Sequence, residues 1–230
     1  MSICLRRWLI SLTCVFSTTA AVPVGAQHPQ AIVDRAEEDF AAGRLREAVA
    51  GFDRLSTLDP ESAPWMWQRG VALYYLGDFS GCADQFAAYQ RVNAGDLESA
   101  VWHVACVARK DSLEAARAVM FPPGRDGRVM RAEVYQMFAG RLPPSVVVER
   151  AGFVADVALF YAHCYAGLFA EVSGDAIAAA THMRQASSDR FADIGGFMNI
   201  VAHVHWAQLS SGAGRAGAAG VPATESRRTE

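Results

Sequence analysis

The sequence predicts an all-α protein, built as a right-handed solenoid of helical hairpins with an irregular middle helix pair and a C-terminal capping helix. Three observations predict it. Residues 42–60, AGRLREAVAGFDRLSTLDP, lie over residues 76–94, LGDFSGCADQFAAYQRVNA, at an offset of 34, which pairs Gly43 with Gly77, Leu45 with Phe79, Ala48 with Cys82 and Phe52 with Phe86. An offset of that length is the period of a two-helix repeat. The spacing returns late in the chain, where Gly167 and Gly174 stand apart as Gly70 and Gly77 do. Ala179, Met183 and Ala186 then follow at the offsets the repeat requires.

The first element is an address. Arg6 and Arg7 precede an apolar, hydroxyl-bearing run from Trp8 to Val22, and PVGAQ supplies the small residues Val24 and Ala26. Residues 1–26 read as a secretory signal peptide cut after Ala26, too short and too rich in Ser and Thr for a membrane span. Cys14 invites lipid attachment, but Ser11, Leu12 and Thr13 before it suit that chemistry poorly. The expected location is therefore periplasmic or secreted rather than lipid-anchored. Cleavage takes Arg6 and Arg7 from the 21 basic residues and none of the 24 acidic ones, leaving 19 against 24 and a formal charge of −5. A mildly acidic chain with no basic stripe does not suit nucleic acid.

Residues 27–210 are the expected helical domain. In frames of 34 beginning at Pro29, Ala63 and Leu97, the first supplies Ala36, Gly43, Leu45, Ala48, Phe52 and Pro60, and the second Gly70, Gly77, Phe79, Cys82 and Phe86. This pattern resembles the tetratricopeptide (TPR) repeat: small residues let two helices cross, glycine frees the turn between them, and large apolar residues fill the space towards the next hairpin. The third frame is degraded. Val104 takes the small site, LEAARAVM makes a shorter second helix, and FPPG ends it. RAEVYQMFAG and PPSVVVERAG form the irregular pair, with Pro143 and Pro144 opening the second helix. FYAHCYAGLFAEVSGDAIAAATHMRQAS restores the repeat, and IGGFMNIVAHVHWAQLS closes the open end. Residues 211–230 lack apolar period and are expected to be a disordered tail.

The blocks RGVALYYLG, EVYQMFAG, VVVERA and FYAHCYAGLFAEVSGD occur in the order seen in the NlpI-type TPR lipoproteins of bacterial envelopes, which the chain resembles over roughly residues 38–208. The resemblance implies an all-helical periplasmic adaptor that forms a homodimer and brings a cell-wall hydrolase to an envelope protease. The chain departs from that pattern at the lipid site and by one fewer repeat at its amino end, where such proteins build their dimer.

Catalytic signatures are missing: no GxSxG elbow, HExxH, paired CxxC or phosphate-cradling glycine loop occurs. His203 and His205 lie two apart on a helix and diverge by about 200° around its axis, so they cannot readily hold one metal. His163, Cys164 and His182 fall on two helices of one repeat, without metal-ligand spacing. No metal and no cofactor is expected. After the signal is removed, Cys82, Cys106 and Cys164 read first as small buried thiols, with a Cys82–Cys106 bridge left open. The expected function is that of a non-catalytic exported scaffold taking a protein or peptide partner. Its groove would be concave and aromatic, formed by Trp67, Val71, Tyr74, Tyr75, Trp102 and Arg109 on the first helices of adjacent repeats. The competing expectation is an envelope enzyme, or an accessory subunit of one, with a site near residues 121–152.

Overall fold

The computed structural model describes residues 28–218, with side chains as far as Ser211, so the expected signal peptide and the end of the expected tail lie outside the described residues. Eleven α-helices and two short 3-10 turns make up the described chain, which contains no strand. The helices pack in consecutive pairs: α1 (Pro29–Ala41) with α2 (Leu45–Leu58), α3 (Trp67–Leu76) with α4 (Phe79–Val92), α5 (Leu97–Lys110) with α6 (Leu113–Ala118), α7 (Arg131–Phe138) with α8 (Pro144–Gly152), and α9 (Asp156–Val172) with α10 (Ala176–Ala186). The last helix, α11, spans Phe197–Ala218 and runs on past the expected tail boundary.

Local chemistry sets the hairpins. Gly77 ends α3 in the left-handed region at φ +88°, and Asp78 then caps α4 by accepting the Gly81 N–H at 2.9 Å. Gly174 and Asp175 repeat the device between α9 and α10. Elsewhere a repeat glycine serves the crossing of the helices. A Cβ on Gly70 would stand 2.7 Å from the Phe86 ring, and one on Gly167 would stand 2.9 Å from Met183. Phe40, Phe52, Phe86, Trp102, Phe138 and Tyr165 fill one continuous core.

The thiol reading of two cysteines needs correction. Cys82 and Cys106 form a disulfide, joining α4 to α5 with 5.8 Å between their Cα atoms, and Cys164 stays a buried thiol. Period alone places two cysteines on facing helices without giving the distance between them.

The larger correction concerns the inner face. Helix α11 packs on α10 as a closing helix should, and it also reaches back to α1. Phe197 lies 5.1 Å from the Phe40 ring and 5.4 Å from the Trp67 ring, and His205 meets Tyr75. The surface expected to stay open is therefore lined by its own chain. No helix among the described residues is long and apolar enough to cross a membrane.

Candidate functional site

Of the six residues expected to form a groove, Val71, Tyr74, Tyr75 and Trp102 are buried in the core instead. The reason is the packing of α9 and α11 against the first helices. Tyr74 donates to Glu171 Oε2 at 2.6 Å, Tyr75 Oη sits 3.0 Å from His205 Nδ1, and Arg109 pairs with Glu171 Oε1. His205 Nε2 stands 3.4 Å from Glu171 Oε2. Arg109 also lies over the rings of Phe79 and Tyr74. This cluster ties α3, α5, α9 and α11 together. Burial holds the His205 imidazole neutral, down to about 4, outweighing the attraction of Glu171.

The remaining groove residues lead to a different place. Trp67 is half-buried, and with the inner side of Trp102 it forms walls of a cleft of about 250 Å³. Tyr89, Phe86, Tyr161, Phe197 and Met198 complete its apolar lining, and Asp96, Glu98, Ser99, Arg128 and Arg131 its polar lining. Beyond Tyr89, Asp96 and Arg128 a shallower hollow of about 320 Å³ continues along Asn93, Gly95, Arg125, Asp126 and Gly127.

Two segments build the polar side. Asp96 caps α5 through the Ser99 N–H at 2.6 Å, which fixes the first turn and sets Glu98 and Trp102 one turn apart. Gln90 on α4 binds the Asp96 carbonyl at 2.6 Å and Ser99 Oγ at 2.8 Å, holding that turn from behind. The other segment is the irregular stretch after FPPG. Gly124 lies so close to Gly95 that a Cβ on it would fall 2.3 Å from the Gly95 Cα. Tyr135 clamps the stretch by donating to the Phe121 carbonyl at 2.8 Å, and Asp126 accepts the Leu97 N–H at 3.3 Å. Met130, the only non-glycine residue with positive φ among the described residues, sits at +64° and turns the chain into α7 at Arg131. Strain of this kind persists where surrounding contacts over-determine it.

The two segments meet in an ion cluster. Arg128 reaches Asp96 at 2.6 Å, Asp126 at 2.6 Å and Glu98 at 3.0 Å, while Arg131, almost fully buried, reaches Glu98 at 2.9 Å. Tyr165 donates to the other oxygen of Glu98. The Arg131 guanidinium lies 3.8 Å from the Tyr161 ring centroid, a cation–π contact. Burial raises the Asp126 carboxyl, but hydrogen bonds from Arg128, its charge and the Leu97 N–H outweigh burial and hold the group below its usual range. The Trp102 indole N–H, buried in the wall, has no hydrogen-bond partner. Unpaired buried donors are rare and call for a reason.

The histidines divide. His203 is exposed and His205 buried, on opposite sides of α11. His163 and His182 do meet, Nδ1 to Nδ1 at 3.1 Å, with ring centroids 5.3 Å apart. The rings thus point end on, the geometry of one N–H···N bond rather than of two lone pairs converging on an ion. Among the described residues no group of three or more His, Cys, Asp or Glu side chains could hold a metal.

Sequence reasoning missed Asp96, Glu98, Arg128, Arg131 and Tyr161 as cleft residues. A signal existed in RDGRVMR, a charged loop following a broken repeat, and in the acidic start of α5. No protein-family model matches the chain, and comparison with curated proteins gives no match either.

Proposed function

We propose that the protein is an exported, non-catalytic TPR-like scaffold that captures a segment of a protein partner in the cleft between Trp67, Tyr89, Trp102 and Tyr161. The observation that carries the reading is the cleft itself, aromatic within and continuous with a polar hollow, as an extended segment requires. Aromatic and arginine side chains are the usual anchors of such surfaces. The buried disulfide supports export, since such bonds persist in oxidising compartments. Work in cell-envelope or cell-wall maintenance, with an envelope protease or a cell-wall hydrolase as partner, follows from the resemblance of the sequence blocks.

The second reading, an envelope enzyme or an accessory subunit, draws support from Asp126, Arg128 and Arg131, which bring residues 121–152 to the same place. Asp126 held low by Arg128 suits an ion pair better than a general acid, which needs a raised pKa.

Site-specific crosslinking tests the location. A photoreactive benzoylphenylalanine at Tyr89, on the cleft, is expected to join a partner protein in the cell, while one at Ile177, which is 82% exposed, is not. Equal yields from both positions, or none from Tyr89, would overturn the reading. Trp67→Ala is expected to weaken capture at Tyr89 by about 1 to 3 kcal/mol with the protein still folded, because Trp67 is only half-buried.

A further inference from the structure

Resting on the cleft reading above, we infer that the group entering the cleft is an uncharged aromatic side chain with a hydroxyl at its tip: a tyrosine of the partner segment. Charge balance is the first argument. Along the cleft and its outer hollow, Asp96, Glu98 and Asp126 stand against Arg125, Arg128 and Arg131, three of each sign. All three carboxylates and two of the guanidiniums already bond within the cluster. A cationic side chain entering here meets Arg128 and Arg131, whereas an anionic one meets Asp96 and Glu98. Inside the cleft either would be desolvated among charges already paired with one another, at a large cost, because Arg125, which the cluster does not engage, lines the outer hollow and not the cleft. An uncharged group escapes both penalties.

Shape and valence supply the second argument. About 250 Å³ between Trp67, Tyr89, Trp102 and Tyr161 is room for a single ring with its stem, and rings gain from edge-to-face contact with rings. A plain phenyl ring would strip water from the Asp96–Glu98–Arg128 cluster and return nothing to it. A phenol hydroxyl returns both functions at once, accepting from a guanidinium N–H and donating to a carboxylate oxygen that still has a lone pair.

The test uses blocked single residues and the mature chain labelled with ¹⁵N, following the indole N–H signals of Trp67 and Trp102. N-acetyl-tyrosinamide is expected to shift them with a dissociation constant in the millimolar range, as befits a ligand of this size. N-acetyl-phenylalaninamide should bind several-fold more weakly, and the blocked lysine and glutamate at least about tenfold more weakly. Raising the salt should leave the tyrosinamide titration unchanged. Asp96→Asn keeps a capping side chain and makes the cluster one charge more positive, so it is expected to raise the affinity for the blocked glutamate. Equal or tighter binding of either charged probe, or a methyl glucoside shifting the two signals where tyrosinamide does not, would overturn the tyrosine assignment and leave the cleft in place. Silence from every probe, with partner crosslinking at Tyr89 intact, would likewise overturn the tyrosine assignment alone. Loss of that crosslink removes the cleft reading beneath it.

Discussion

At the scale of the residue, one amino acid serves two unrelated physical needs. Gly77 has open space where a Cβ would stand, so only its φ of +88° demands glycine. Gly70 has an ordinary φ and no space, its missing Cβ being filled by the Phe86 ring. The two therefore answer differently to substitution. Gly77→Val is expected to lower stability by about 1 to 3 kcal/mol, since a β-branched residue tolerates the left-handed region worst. Gly77→Asn should cost clearly less, because asparagine visits that region. Urea melts of both variants check it: equal losses would mean that crowding, not backbone angle, sets the requirement. Both glycines were legible in the 34-residue register. Which need each one meets was not, because the register encodes identity and spacing and says nothing of neighbours across the hairpin.

At the scale of the element, α11 is more than a cap. Its buried His205 lies between Tyr75 on α3 and Glu171 on α9, and burial depresses its pKa from 6.5 to about 4. A histidine depressed in the folded state binds its proton more readily once unfolded. The stability tied to its neutral form is fully present above the unfolded value, is lost as pH falls from about 6.5, and is gone by about 4. At about 1.36 kcal/mol per pH unit the loss approaches about 3 kcal/mol. His103, His163 and His182 are lowered too, so the measurement is a difference. Wild type and His205→Gln should approach each other in stability between pH 7 and pH 4, wild type losing more. Parallel curves would mean that His205 titrates alike folded and unfolded.

At the scale of the whole molecule, the described chain returns on itself, its last helix touching its first. Phe197, Met198, Val201 and Val204 are buried on that return, each contributing roughly 1.5 to 3 kcal/mol. Together these approach the total stability of an ordinary domain, about 5 to 15 kcal/mol. A chain ending at Gly196 is therefore expected to lose its cooperative melt and to bind a hydrophobic dye through uncovered Phe40, Trp67 and Tyr75. A truncated protein melting like the full chain would show that the hairpin array stands without α11.

The helices, their pairing in hairpins, the turn glycines and the broken third repeat could all be read from the sequence, because each follows from side-chain period, backbone freedom and proline within one or two turns. Trp67 and Trp102 could be singled out for the same reason. What they line could not. Four of the six expected groove residues went to the core because α9 and α11, far along the chain, cover the first helices, and the cleft arose where residues 95–99 meet residues 124–131. Local pattern fixes which face of a helix is apolar. Only the folded chain decides whether that face meets solvent, a partner or its own last helix, since that choice is settled by contacts among segments whose spacing along the sequence carries no period.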